Sequence, residues 1–256
     1  MKEIKIQDRE IKKYTRRSWL SFVKFFALTG IGFAGWRWLY TQPLDGGILG
    51  GIPEPLRKGL EINEKLFKTT FNSARLVKEY AKSDAAKKVR VNGDVGLDTE
   101  LFEPKKWTLE IQKAVGKTVS VKLEELMKLP KTEVVYNFKC IEGWSQVSWW
   151  GGVRFADFAN HFGLEKELLM NYVGMSTPDF DYYVGIDMES ALHPQTILAY
   201  EMNGKPLPMQ HGYPLRLIIP VKYGVKSLKR IGSIYFDNEK PSDYWAERGY
   251  DYYIGL

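Results

Sequence analysis

Cys140 is the only cysteine in this 256-residue chain, and its neighbours are the first sign of chemistry. One thiol makes no intrachain disulfide, and it excludes sites built on paired thiolates such as a zinc ribbon or an iron–sulfur cluster. His161, His193 and His211 are the only histidines and lie too far apart for a local His-x-x-x-His pair, which argues against an all-protein zinc site. A lone cysteine is more often an inert small core residue than a ligand. Here, however, the stretch Asn137 to Phe158 crowds Asn137, Glu142, Trp144, Ser145 and Gln146 around the thiol. Gly143, Gly151 and Gly152 leave room for a bulky ligand to approach the backbone. That mixture of amphipathic side chains and glycine suits a cofactor pocket better than plain core.

A second cluster runs from Asn203 to Ile234, where His211, Arg216, Lys222, Lys226, Lys229 and Arg230 alternate with Gly and Pro turns. Cationic side chains beside backbone N–H groups in glycine turns make a place for phosphate or another compact anion. On charge alone, an exposed basic turn explains the segment better.

The elements that must carry these residues are mainly strands. From about Lys88 onward, short β-like runs are broken by turns, with helical pieces at "KLEELMKL" and "RFADFANHFG". Asn92–Gly93 and Asn203–Gly204 have the composition of hairpin turns. The pattern predicts a mainly β, α+β domain over residues 61–256, opened by a helix from Glu61 to Lys82. Before it, residues 41–60 hold five glycines and three prolines and read as a linker.

The formal charge of +6 invites a nucleic-acid reading that the distribution of charge removes. Residues 1–24 carry eight Lys or Arg against Glu3, Asp8 and Glu10, whereas the other 232 residues carry 29 basic and 28 acidic side chains. The basic leader runs into an apolar segment, residues 18–40, in which Phe25–Trp36 is uncharged. Crossing a bilayer takes about 20 mainly apolar residues, and Trp19, Trp36 and Trp38 stand near the segment ends where aromatic belts form. Residues 1–40 therefore read as a membrane anchor or export signal. Arg16 and Arg17 ahead of the apolar stretch match a twin-arginine signal, Gly32 and Ala34 are small enough for cleavage, and Trp36 to Tyr40 suits a retained anchor.

Taken together, "CIEGWSQVSWWGGVRFADF", "ALHPQTILAYEMNGKPLPMQHGYPLRLIIPVKYGVKSLKRIGSI" and "WTLEIQKAVGKTVSVKLEELMKLP" closely resemble the sulfite-oxidase family of molybdopterin oxidoreductases, over roughly Trp107 to Phe236. Within it, the bacterial members that reduce oxidised methionine in proteins are the most similar. The resemblance implies a mainly β molybdopterin-binding domain and one molybdenum held by a single molybdopterin, with Cys140 as the protein ligand and catalytic thiolate. It places Thr177, His211, Arg216, Ser227, Leu228 and Lys229 where the family holds the pterin and its phosphate, and Asn72, Arg75 and Leu76 where an upstream cofactor segment belongs. His211 departs from relatives that carry Asn there.

Where sulfite-oxidising members follow the cysteine with an arginine that binds the sulfite dianion, this chain has Glu142, Gly143 and Trp144. Glu142, Trp144 and Ser145 are accordingly the expected substrate side, and a neutral oxo-acceptor such as a sulfoxide is the expected substrate. The resemblance further implies a monomer on the periplasmic face, tethered by its N-terminal segment and reduced by a haem-containing membrane protein, with no nucleic-acid partner. Two alternatives stay open: a sulfite-type dehydrogenase, and a membrane-anchored binding module that has lost the metal.

Overall fold

The computed structural model describes residues 8–46, 51–97, 102–113 and 116–255. Lys2 and Lys5 of the basic leader and residues 47–50 of the Gly/Pro stretch lie outside the described residues. The chain divides into two compact units, Met1–Lys58 and Gly59–Leu256.

The first unit is dominated by helix α1, Asp8–Tyr40, which contains no proline and runs for 33 residues. Its part from Lys12 to Tyr40 is long and apolar enough to cross a membrane, and none of its most apolar stretch is buried. At 1.5 Å per residue those 29 residues span roughly 44 Å. After α1 the chain folds back on itself: Leu44 bridges to Pro53, and the amide of Glu54 donates to Pro43 O at 2.9 Å.

Helix α2, Glu54–Thr70, starts and stops earlier than the expected span of 61–82. Residues 54–60 are helical despite their proline because Pro55 falls in the first turn, where a missing N–H costs nothing. The helix ends where Thr69 and Thr70 turn their hydroxyls back onto Lys65 O and Leu66 O. Beyond it, Asn72 Oδ1 takes the amide of Ala74 at 2.9 Å, a local bond that competes with helix.

The body is two five-stranded sheets. One joins β1 (Leu109–Gln112), β2 (Thr118–Val121), β5 (Tyr172–Ser176), β6 (Tyr183–Asp187) and β10 (Ser233–Asp237) in the order β2-β1-β10-β5-β6, with β1 and β10 parallel. The other joins β3 (Lys131–Lys139), β4 (Ser145–Arg154), β7 (Ile197–Met202), β8 (Lys205–Pro206) and β9 (Arg216–Ile218), all antiparallel, with β7 pairing β4, β8 and β9. Short helices α3 (Leu123–Leu126), α4 (Phe155–His161) and α5 (Met188–Ala191) cap strand ends.

The largest core cluster packs Leu109, Ile111, Phe155, Phe158, Ile186 and Leu217, and a second gathers Val134, Tyr136, Phe138, Trp150 and Ile218. β4 shifts register between Gly151 and Gly152. A Cβ on Gly152 would lie 2.1 Å from Leu198 O, so only glycine lets β4 and β7 approach there. The mainly β, α+β architecture expected from the sequence is the one observed, and the Asn203–Gly204 hairpin joins β7 to β8 with both residues at positive φ.

The Asn92–Gly93 hairpin is absent. Residues 87–97 form no strand, because their polar backbone groups are taken by side chains from elsewhere: Gln146 accepts from Arg90 N, and Lys229 Nζ donates to Asn92 O and Gly93 O.

Candidate functional site

Cys140 sits in the turn that joins β3 to β4. Its amide donates to Trp144 O at 2.9 Å, and Gly143 N donates to Cys140 O at 3.1 Å. Gly143 turns the chain at φ +89, a conformation that favours glycine. These bonds hold the thiol buried at the edge of a cavity of about 180 Å³. Asn92 Nδ2 reaches Cys140 Sγ at 3.5 Å from the irregular segment 87–97. The cavity adjoins an open cleft of about 990 Å³, and both are lined by Gly93 and Val95. Ligand pockets usually run to about 300–1,000 Å³, so a cofactor-sized group needs the cleft as well as the cavity.

The opposite wall is basic. Arg216, at the start of β9, is 3% exposed and donates to His211 O at 3.0 Å and Ser227 O at 3.2 Å. Its Nε has no hydrogen-bond partner among the described residues. The guanidinium lies 4.6 Å from the ring centre of Trp150. Burial pushes it down to about 10, which leaves it charged at neutral pH.

Lys229 Nζ is held by three backbone carbonyls, Asn92 O at 2.6 Å, Gly93 O at 2.8 Å and Gln210 O at 3.2 Å. Burial, then the charge of Arg216, pull this ammonium down to about 7 against the opposing pull of Asp94. His211 is buried edge-on to Trp150, and burial followed by the charges of Arg216 and Lys229 lowers its imidazole to about 4. It is neutral at pH 7. Gly212 follows at φ +98, where a Cβ would meet Arg230 N at 2.8 Å, so the His211 turn can press against residues 229–230 only with glycine there.

Not all of the expected site residues meet here. Cys140, Glu142, Arg216, Ser227 and Lys229 line the one cavity, and His211 lies behind Arg216. Leu228 is fully buried in the main core and fixes the backbone between Ser227 and Lys229. Thr177 is buried under the segment 87–97, against Gly96, with its hydroxyl donating to Asp179 Oδ1.

Of the expected substrate side, only Glu142 reaches the cavity; its carboxylate accepts from Trp144 Nε1 at 2.9 Å. Trp144 stacks on Phe138 and lines a small neighbouring pocket, and Ser145 is exposed at the first position of β4. Asn72, Arg75 and Leu76 are exposed after α2 and line no part of the cavity. Asn92 and Gly93 stand there instead, joined on the apolar side by Ile141, Tyr182, Trp245 and Tyr250. The density of glycine in "VNGDVG" was the available signal for the former. For Trp245 and Tyr250 the sequence carries none beyond their aromatic type.

Arg216 and Lys229 form no ion pair with a carboxylate among the described residues, although they face each other's charge in one cavity. Arg216 is buried and Lys229 half-buried, and cations in that state are ones an anion from outside can complete. Among the described residues, no three His, Cys, Asp or Glu side chains gather to hold a metal ion. A metal beside Cys140 would thus take most of its ligands from a cofactor, and a thiol on one wall with Arg216 and Lys229 on the wall opposite fits a sulfur-ligated group that carries a phosphate.

Residues 96–245 match the family model described as oxidoreductase molybdopterin binding domain. A subunit of Azospira oryzae named for protein-methionine-sulfoxide reductase, YedZ1, is 38% identical over 147 residues, covering 57% of this chain and 55% of the relative. The protein-methionine-sulfoxide reductase catalytic subunit MsrP of Xanthomonas axonopodis pv. citri is 35% identical over 154 residues, 55% of this chain and 48% of the relative. MsrP of Campylobacter jejuni is 33% identical over 174 residues, 60% and 58% of the two chains. The chain spans about half the length of these curated relatives. Among solved structures, the sulfane dehydrogenase SoxCD of Paracoccus pantotrophus aligns with 54% of this chain and 40% of its own, at 19% identity and a TM-score of 0.49.

Proposed function

This chain belongs to the oxidoreductase molybdopterin binding domain family, and on that premise we propose that it is a molybdenum-dependent oxidoreductase that takes an oxygen atom from a sulfoxide, protein-bound methionine sulfoxide foremost. The observation that carries the proposal is the shared cavity of Cys140, Arg216 and Lys229, a soft ligand opposite cations that form no ion pair with a carboxylate among the described residues. Molybdenum on a single molybdopterin, when bound, supplies the two-electron chemistry of oxygen transfer.

The protein's part is to hold and to exclude. Cys140 would be the protein ligand, steadied by Asn92 Nδ2 at its sulfur. Arg216, Ser227 and Lys229 would take the phosphate, Arg216 through the Nε that has no partner among the described residues. His211, neutral because burial and two neighbouring cations depress it, can donate one hydrogen bond to the pterin without adding charge, and Thr177 would support the same wall from beneath. Reducing a sulfoxide to a sulfide consumes two electrons and two protons and releases water. Glu142 is the one carboxylate on the cavity wall among the described residues and is proposed to pass on those protons. Ile141, Tyr182, Trp245 and Tyr250 offer a neutral, partly aromatic face that suits a thioether better than a sulfite dianion. The open cleft beside the cavity has room for a stretch of polypeptide.

The domain reading proposed with this function is an N-terminal segment, residues 1–40, that signals export through Arg16 and Arg17 and tethers the body, residues 61–256, to the periplasmic face of the inner membrane. A haem-containing membrane protein is the proposed electron donor, with the enzyme acting as a monomer. The test is to supply intact spheroplasts expressing the chain with a membrane-impermeant reduced viologen and oxidised methionine, free and in protein. The expected result is one sulfide formed for every two electrons drawn from the dye. Spheroplasts that carry the molybdenum-loaded chain and leave both dye and sulfoxide unchanged would refute the reading.

A further inference from the structure

Helix α2 faces the wrong way for a helix resting on a soluble body. At 100° per residue, Leu56, Leu60, Ile62, Leu66 and Phe67 share one side and Glu64 and Lys68 the other. The charged side is the buried one: Glu64 is 6% exposed and pairs with Lys68 at 3.0 Å and Lys240 at 2.6 Å, and Lys68 Nζ donates to Tyr172 Oη at 3.0 Å. On the apolar side, Ile62 remains 67% exposed and Leu66 59%, and Phe67 keeps 42% exposure although it stacks on Tyr253. Burying Ile or Leu is ordinarily worth about 1.5–3 kcal/mol per side chain, so leaving two in water is a loss unless something covers them.

The chain itself indicates the cover. Within the first unit, the Glu54 amide is hydrogen-bonded to Pro43 O, which places the start of α2 beside residues only three positions beyond the end of α1. Trp36, Trp38 and Tyr40 are exposed on the last turns of α1, where an aromatic belt would mark the membrane surface. Exposed Lys58 and Lys65 border the apolar stripe, the arrangement in which a helix lies in the interface with its apolar side down and its lysines at the headgroups.

We infer that the outward stripe of α2 lies in the surface of the membrane that α1 enters, as a second contact beside the anchor. This rests on the proposal that α1 is inserted in a membrane, and the test separates the two. The full chain is reconstituted into vesicles of phosphatidylcholine and phosphatidylglycerol that contain a phospholipid with a diazirine in its acyl chain. After irradiation, lipid adducts are mapped by peptide. Adducts are expected in α1 and also on Ile62 and Leu66, with the α2 adducts lost and the α1 adducts kept in the exposed double variant Ile62→Glu, Leu66→Glu. Adducts in α1 with none in residues 54–70 would overturn the inference and leave the anchor standing. Adducts in neither would overturn both. Shielding of Ile62 and Leu66 from a water-soluble carbene reagent only when native membrane proteins are present would assign the stripe to a protein, and would overturn the inference as well.

Discussion

Between Arg216 and Lys229 the chain holds two sorts of buried or half-buried cation, and the protein treats them in opposite ways. Lys222 and Lys226 each have a carboxylate: Asp187 at 2.7 Å from the first and Asp243 at 2.5 Å from the second, which also donates to Gly185 O at 2.9 Å. Burial pushes the Asp187 carboxyl up, but the ammonium of Lys222 outweighs it and holds the group below the ordinary carboxylate range. Arg216 and Lys229, in contrast, hydrogen-bond to backbone carbonyls and to no carboxylate among the described residues, with one nitrogen of Arg216 left over there. The first two are each paired with a carboxylate, and Asp243 ties the segment after β10 to the body. The second pair is open, and it is the pair proposed above to take the phosphate of a cofactor.

The comparison can be broken from either side, and the largest effects come first. Cys140→Ser should abolish turnover while leaving unfolding by denaturant nearly unchanged, since serine is close in size but a hard, poor ligand for the metal. Full turnover in that variant would remove the thiolate from the account. On the closed side, Asp243→Asn should lower the unfolding free energy of the full chain by about 3–5 kcal/mol, because Lys226 would keep a buried charge without its partner. The pterin bound per folded molecule should stay the same. A loss of stability below about 1 kcal/mol would mean that the pair is not the structural tie described here.

Arg216→Met and Lys229→Met keep volume and remove charge on the open side. Each should weaken cofactor retention by about 1.5–3 kcal/mol, roughly tenfold to a hundredfold, read as pterin retained through purification. Stability of the cofactor-free chain should hardly move, so retention equal to wild type in both variants would contradict a phosphate site.

The smallest expected effect sharpens the same contrast. His211 is lowered to about 4 in the folded chain from an ordinary 6.5, so between those values the unfolded state binds the extra proton. Its contribution to stability is present above pH 6.5 and is lost as pH falls toward 4. His211→Asn should flatten that limb while keeping the cofactor, and His193, also lowered by burial, should retain its own contribution. An unchanged acid limb would show that His211 is not held neutral by burial and its neighbouring charges.

Much of this was legible in the residues. Strand runs such as "EVVYNFKC" and "YYVGIDM" appear as β3 and β6, and the turn around Cys140 was marked by Gly143 and the tryptophans. Three features were not. Asn92–Gly93 has the local signature of a hairpin, but the bonds that decide its shape come from Gln146 and Lys229, far away in sequence. The end of α2 depends on threonine hydroxyls and Asn72 turning back on the backbone, which an apolar period does not register. Which of the six basic residues between His211 and Arg230 are open could not be read at all, because their partners Asp187 and Asp243 reach them only through the fold.

The central claim, that this cavity holds molybdenum on a pterin with Cys140 as the protein ligand, is tested most directly by elemental and pterin analysis of the full chain purified from a host that makes the cofactor. Near-stoichiometric molybdenum with one pterin per chain is the predicted result. Folded protein from that host carrying neither would contradict it and leave a membrane-anchored binding module in place of the enzyme.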